Sequence, residues 1–313
     1  MVIYLEQGVK NSPIAQKIVE RVKGRVIEID HYKEIFNPRY NDFRLQKRHR
    51  ALILAEKKGS FLYQGSPLCP NRGRPHFFYS SQILGCIFNC HYCYLGGLYP
   101  SGYPVIFTNL EKLKGEVLEL PRDTFLAISY ETDLLGFESI YPFHPFWIEI
   151  AQLRPDLLIE SRTKSANTHL LPDNPPSNFL LSFSFTPEEV NRRWEGGVPT
   201  IDRRLEAVST ALKKGYRVEI VIEPILLFPN WESHYRHLFQ KMAQKLPLRH
   251  LPISFGVYRL PTPILKKLRH RYPNILNFYP FQMQNGTATY PNSHQLLQKV
   301  NILFSKILEN VFF

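Results

Sequence analysis

Three of the chain's four cysteines fall within one short segment, Gly85-Cys86-Ile87-Phe88-Asn89-Cys90-His91-Tyr92-Cys93-Tyr94-Leu95. Thiolates bind metals, and iron–sulfur cubanes are normally held by four of them. Three in one loop would hold three irons of a 4Fe–4S cluster and leave the fourth open to a substrate. Zinc could instead take the three thiolates with His91 or Cys69, since Cys₃His and Cys₄ sites are common. Structural zinc motifs usually pair two separated CxxC knuckles, however, and no second knuckle exists here. A thioredoxin-like CxxC would use only Cys90 and Cys93 and leave Cys86 idle. Three unrelated buried cysteines are the blandest alternative. Ligand count and spacing favour the cluster with one open iron.

Such a loop must be held by rigid elements. From residue 76 onward, β-type runs at 76–84, 125–130, 157–162, 179–185, 217–225 and 253–258 alternate with helical spacing. The helical stretches fall at about 109–117, 144–153, 187–193, 201–214, 233–245 and 262–270. This α/β alternation predicts a parallel sheet wrapped by helices. Six units are too few to close a regular eight-stranded barrel, so a partial (β/α)6 TIM-type barrel is expected. The cysteine loop directly follows the first strand, at the barrel end where chemistry is held.

Before the barrel, runs at 2–5 and 26–29 with a helical stretch at 14–22 form a small β-α-β unit. A basic stretch, 44–58, contains Lys47-Arg48-His49-Arg50 and reads as a helix with a solvated face. Residues 65–75 are rich in Pro and Gly and read as an extended loop. After the barrel, Asn285-Gly286 signals a type I′ hairpin, and a helix over 293–308 ends the chain. The expected organisation is an N-terminal extension with basic helix (1–64), the barrel (65–275), and a C-terminal hairpin plus helix (276–313). There is no internal repeat or low-complexity tract.

Composition narrows the function classes. The 313 residues are 44% hydrophobic and 21% charged, ordinary for a globular protein. No apolar run approaches the roughly 20 residues that span a bilayer, and the N-terminus lacks a signal-peptide pattern. A cytoplasmic location without membrane contact is expected. The formal net charge is +12, which favours a polyanionic partner through counterion release. A basic protein from a basic proteome accounts for the charge equally well.

The C-x3-C-x2-C pattern, with an aromatic before its last cysteine, resembles the radical S-adenosylmethionine superfamily. Cys90-His91-Tyr92-Cys93-Tyr94-Leu95 resembles the signature of the spore photoproduct lyase family, which performs DNA repair. So do Glu131-Thr132-Asp133-Leu134-Leu135-Gly136, Arg162-Thr163-Lys164, Phe183-Ser184-Phe185, Val221-Ile222-Glu223-Pro224-Ile225 and Asn230-Trp231-Glu232. The likeness runs from about residue 60 to 275. It implies that Cys86, Cys90 and Cys93 hold a 4Fe–4S cluster that splits S-adenosyl-L-methionine into methionine and a 5′-deoxyadenosyl radical. An external electron donor of flavodoxin or ferredoxin type would reduce the cluster. The family's lyase reaction reverses a methylene cross-link between two thymines in DNA. By position, Tyr92 would pack on the adenine, and Thr132, Lys164 and Ser184 would contact the cofactor at successive strand ends. Glu223 would face the site from the fifth strand, although a structural role suits it equally. Tyr94 would match the tyrosine of the family's hydrogen-return relay.

The likeness breaks at two places. The family returns hydrogen from a cysteine just past its second strand, and here Ser129 or Tyr130 stands there. A serine O–H bond is too strong to serve, whereas the Tyr130 phenol could. Cys69, in the Pro/Gly loop, reads as an ordinary loop cysteine. The hairpin, Phe281-Gln282-Met283-Gln284-Asn285-Gly286-Thr287-Ala288-Thr289-Tyr290, lacks the family's basic residues, and amides do not neutralise phosphate. The expectation is therefore a radical lyase-like enzyme whose substrate is DNA, another nucleic acid or a base-like molecule. A zinc-stabilised nucleic-acid-binding protein without catalysis stands as the alternative.

Overall fold

A computed structural model describes residues 1–37, 41–67, 69–276 and 280–311. The chain opens with β1 (Val2–Glu6), α1 (Pro13–Val22) and β2 (Arg25–Ile29), the last parallel to β1. Ser12 starts α1 by accepting the Ala15 N–H, with Pro13 at the first helical position. Lys23 ends it in the left-handed region at φ 50°.

After the one-turn helix α2 (Lys33–Phe36), Asp42 caps α3 (Phe43–His49) by accepting from the Arg44 and Leu45 amides. The basic stretch is not helical to residue 58. Ala51–Ala55 form β3, every residue buried and parallel to β1. The five apolar residues need cover on both faces, which a central strand has and a surface helix lacks.

β4 (Leu62–Gln64) and β5 (His76–Ser80) flank the Pro/Gly loop. The expected strand over 76–84 then breaks in two, because β6 (Ile83–Leu84) leaves the barrel for the first sheet. β7 (Asn89–Cys90), α4 (Leu95–Leu98) and β8 (Val105–Phe107) follow. The first sheet has the order β2-β1-β3-β8-β6, so the β-α-β unit grows to five strands.

The helices and strands of the second sheet then come in the expected alternation. They are α5 (Leu110–Leu118), β9 (Thr124–Ala127), α6 (Phe143–Leu153), β10 (Leu158–Thr163) and β11 (Phe179–Ser184). α7 (Glu188–Trp194), β12 (Glu195–Gly196), α8 (Ile201–Lys213), β13 (Arg217–Ile225), α9 (Trp231–Lys245) and β14 (Ile253–Val257) complete them. The order is β14-β13-β11-β10-β9-β5-β4, with six parallel strands and β4 antiparallel at one edge. The outer strands β14 and β4 do not pair with each other, so the barrel is partial and open, as expected.

β15 (Arg259–Pro261), α10 (Thr262–Arg271) and α11 (Pro273–Leu276) close the mouth region. The hairpin β16 (Gln282–Gln284) and β17 (Thr287–Thr289) turns through Asn285 at φ 48° and Gly286 at φ 75°, the two positive values a type I′ turn needs. β15 adds a third strand that the sequence did not suggest. α12 (Ser293–Val311) ends the chain against α9, with the Phe239 and Phe304 rings 5.1 Å apart. Among the described residues no helix is long and apolar enough to cross a membrane.

Side chains alternate across the sheet. Phe125 and Ala127, Leu158 and Leu180 meet inside the barrel, while Leu126, Ile159 and Leu181 join the larger core under the helices. The inner row turns polar toward the strand ends, through Glu160, Ser182 and Glu219. That change of chemistry sets where a ligand can sit.

Candidate active site

Gly85, at φ 82°, turns the chain out of β6 into the cysteine loop. Cys90 lies on β7, which pairs antiparallel with β12 so that Cys90 faces Glu195. The Phe88 amide donates to Cys86 Sγ at 3.4 Å, and the Cys93 amide closes a turn on the Cys90 carbonyl at 3.0 Å. Lys47 reaches in from α3 and donates from Nζ to the Cys86 carbonyl and, at 3.2 Å, to the Phe88 carbonyl. Its sequence context suggested a solvated face; only the folded chain reveals that it clamps the loop.

Burial pushes the Cys86 thiol up to about 12 and raises Cys90 and Cys93 as well. Burial outweighs the nearby Lys47 and Lys164 cations at these sulfurs, so a bound metal is what would favour their thiolate, ligand form. The candidate fourth zinc ligands both lie elsewhere. His91 stacks on Tyr272 with ring centroids 4.4 Å apart, and Cys69 faces Tyr130. Among the described residues no three His, Cys, Asp or Glu side chains converge on one ion.

Beside the loop lies a buried charge centre. Glu195 sits between Lys164 Nζ at 3.1 Å and Arg204 Nη2 at 3.2 Å, and accepts from Thr186 Oγ1 at 2.7 Å and from the Tyr92 hydroxyl. Burial alone would raise this carboxyl, but Lys164 and then Arg204 outweigh it and hold it at about 2. Tyr258 donates to the Tyr92 carbonyl, its ring edge-on to Tyr92. Asp133 accepts from the Lys164 amide at 2.6 Å and Thr163 Oγ1 at 2.7 Å, which ties the ends of β9 and β10 together. Two polar atoms here are buried without hydrogen-bond partners, Thr132 Oγ1 and Lys164 Nζ, the latter paired with Glu195 by charge alone. Orphaned groups of this kind cost free energy unless a ligand satisfies them.

The opposite wall holds a thiol. Cys69 Sγ lies 3.6 Å from the Tyr130 hydroxyl, so the position past β9 does have a cysteine beside it. The 65–75 loop, read from the sequence as an ordinary loop with an ordinary cysteine, enters β5 at its first residue and lays Ser66, Cys69 and Pro70 along the same cavity as the clustered cysteines. Arg72 fastens that loop, donating from Nη1 to Glu219 at 2.7 Å and from Nη2 to Glu160 at 2.6 Å. Ser182 donates to the same two carboxylates at 3.1 and 2.7 Å. Burial, and then the contact with Cys69, pushes the Tyr130 phenol up. Tyr79 stacks on Tyr130 at 4.4 Å, and Tyr94 stands edge-on at 6.2 Å with its hydroxyl donating to the Tyr130 carbonyl.

Cys86, Cys90, Cys93, Tyr92, Tyr94, Tyr130, Thr132, Lys164, Ser184 and Glu223 all line one cavity of about 570 Å³, together with Cys69. That volume is within the usual range for a small-molecule site, about 300–1,000 Å³. Glu223 packs against Gly256 and accepts from Arg162 at 3.0 Å. Ser129 also lines it, but its hydroxyl is shared with Ser161 at 3.2 Å, which His144 and Glu138 back up from the helix side. Of the hairpin, only Thr287 reaches the cavity. The fit to a metal cluster and an amino-acid-bearing cofactor is therefore good. Three thiols, an unpaired hydroxyl and a cation line one cavity.

A family model described as spore photoproduct lyase matches residues 1–279. The chain is similar to the spore photoproduct lyase of Bacillus subtilis (strain 168), 25% identical over 289 residues, covering 87% of this chain and 82% of that protein. It is similar also to that of Geobacillus sp. (strain Y412MC61), 23% identical over 286 residues with the same coverage. Among solved structures, a cysteine-to-alanine mutant of spore photoproduct lyase superposes with a TM-score of 0.82 at 19% identity, covering 99% of this chain and 96% of that one. A double mutant of the lyase, which adds a serine-to-cysteine change and holds AdoMet and dinucleoside spore photoproduct, gives 0.81 with the same coverage. The fold is shared along the whole chain.

Proposed function

The chain belongs to the spore photoproduct lyase family, and from that premise we propose that it is a radical S-adenosylmethionine lyase acting on cross-linked thymines in DNA, with Cys69 returning the hydrogen. The observation that carries this reading is the Cys69 thiol, 3.6 Å from Tyr130 in the same cavity as the three clustered cysteines. It supplies the donor that the sequence lacked at Ser129.

Cys86, Cys90 and Cys93 would hold a 4Fe–4S cluster, with Lys47 and the β7–β12 pair fixing their loop. Lys164, whose ammonium is ion-paired with Glu195 but makes no hydrogen bond, and Thr132, whose hydroxyl has no partner, would meet the carboxylate and polar groups of S-adenosyl-L-methionine. Tyr92, fixed by Glu195 and Tyr258, would pack on the adenine. With Cys86, Cys90 and Cys93 holding the cluster and an external one-electron donor reducing it, bound S-adenosyl-L-methionine would supply a 5′-deoxyadenosyl radical able to take one hydrogen atom from the lesion.

The chain's own residues then govern the outcome. Once the methylene bridge has broken, the product is a carbon radical short of one hydrogen. Cys69 S–H gives that hydrogen, forming a C–H bond and leaving a sulfur radical. Tyr130 O–H, in contact with the sulfur, would re-form the S–H bond and leave a phenoxyl radical at Tyr130, with Tyr94 next in line toward the cysteine loop; one electron from the external donor and one proton would return the phenol. A thiol suits the first transfer because S–H is far weaker than the O–H of Ser129.

The test uses anaerobically reconstituted protein, S-adenosyl-L-methionine and a dinucleoside spore photoproduct. Wild-type chain should form repaired thymine, while C69A should still form 5′-deoxyadenosine but lose repair by about tenfold or more. Steady 5′-deoxyadenosine from the wild-type chain without any repaired thymine would favour another base-like substrate. A colourless protein containing zinc would overturn the radical reading altogether.

A further inference from the structure

We propose that the outer faces of α3 and α10 form one continuous track for the phosphate backbone of a DNA strand, in place of the uncharged hairpin. The inference rests on DNA being the substrate, as argued above, and concerns where its phosphates are held.

The charge is concentrated in these two short segments. Residues 43–50 contain four Lys or Arg and residues 262–271 another four, with no Asp or Glu in either, in a chain of net charge +12. Arg44, Arg48 and Arg50 are exposed, as are Lys266 and Lys267. None of these five has an ion-pair partner among the described residues. Elsewhere along the chain the surface cations are interspersed with acids, and several pair with them, as in Lys10–Glu28, Lys114–Glu149 and Lys245–Asp202. Asp42, just before the first segment, is engaged with the α3 backbone amides and forms no ion pair with Arg44 or Arg48, so these cations stay available to a polyanion, where each phosphate neutralised releases counterions.

The two helices are also physically joined. Arg271, at the end of α10, lays its guanidinium over the Phe43 ring of α3, 4.2 Å from its centroid. The same side chain donates to the Gly96 carbonyl and, at 3.0 Å, to the Tyr99 carbonyl. A Cβ at Gly97 would lie 2.8 Å from Ile264, so α10 seats directly on α4 at a spot only glycine allows. The inner side chains of both helices, Phe43 and Lys47 from α3 and Ile264 from α10, line the active cavity. A strand lying along the outer faces would thus pass beside the space that receives a flipped lesion.

The occupant is DNA rather than an acidic protein because the face lacks what a protein interface needs. Such interfaces centre on buried aromatic or aliphatic anchors. The single strongly exposed large apolar side chain on the two segments is Leu45.

The test measures fluorescence anisotropy of a fluorescein-labelled, lesion-free DNA duplex over a salt series, so that it does not depend on lyase activity. The charge-reversal variant R44E/R48E/K266E/K267E should lower the slope of log affinity against log salt by about 0.9 for each lost phosphate contact. At low salt its affinity should fall more than tenfold. The neutral variant R44Q/R48Q/K266Q/K267Q, which guards against misfolding of the first, should reduce the slope in the same direction. The control K17E/R21E on α1 should leave the slope within error. An unchanged slope in both four-site variants would overturn the track, and so would an equal loss in the α1 control. Retained DNA binding with lost cluster reduction by an acidic electron-carrier protein would assign the face to that protein instead.

Discussion

Cys69, Tyr130 and Tyr94 come from three separate segments, and their meeting depends on a loop that Arg72 fastens to Glu160 and Glu219 inside the barrel. Nothing in the spacing of Cys69 sets it apart, since its partner Tyr130 lies 61 positions away. The same is true of Lys47, which contacts the cluster loop across 39 positions. The three clustered cysteines were legible because the motif is local and its ligand count is chemical. Lys164 and Thr132 were legible through resemblance, and the cavity brings them beside the thiols with polar atoms unsatisfied. A K164A variant should weaken S-adenosyl-L-methionine binding by about tenfold or more, roughly 1.4 kcal/mol. Its iron content and cluster absorbance should match the wild type. Isothermal titration of the reconstituted protein checks this, and unchanged affinity would remove Lys164 from the cofactor site.

The elements that mattered most were those whose apolar pattern was least ambiguous. All six barrel strands and their helices were legible, because each strand is a short β-rich run set off from its neighbours by a clear helical stretch. β3 was hidden because its apolar residues adjoin a basic helix, and only pairing with β1 separates them. β6 was hidden inside a single β-rich run, since pattern cannot say which sheet a strand joins. The 65–75 loop read as a linker, yet Arg72 roots it in Glu160 and Glu219 on the barrel floor. Removing one partner of such a buried network typically costs about 3–5 kcal/mol, so R72Q should be destabilised by that order in denaturant unfolding. R72Q should also expose Cys69, raising its rate of alkylation by iodoacetamide several-fold, with partial protection restored in R72K. Equal alkylation rates in all three proteins would show that Arg72 does not hold the thiol in place.

At the scale of the whole molecule, an open barrel leaves one mouth, and three surfaces compete for it. The cysteine loop and β12 close the cofactor end, the Cys69 loop covers the opposite wall, and α3, α4 and α10 frame the approach. The net charge was visible in the composition, but its gathering onto two joined helices became visible only once Arg271 was seen against Phe43. The hairpin keeps its shape without its charge. Under the proposed function the barrel would generate and contain the radical, and α3 and α10 would hold the polymer.

The most direct test of the account is a single turnover in deuterated water, with anaerobically reconstituted protein, S-adenosyl-L-methionine and a dinucleoside spore photoproduct. The Cys69 thiol exchanges its proton with solvent, so the repaired thymine should carry one deuterium by mass spectrometry. In C69A that label and most of the product should disappear while 5′-deoxyadenosine still forms. Repair by C69A at the wild-type rate would contradict the assignment of Cys69 as the hydrogen donor.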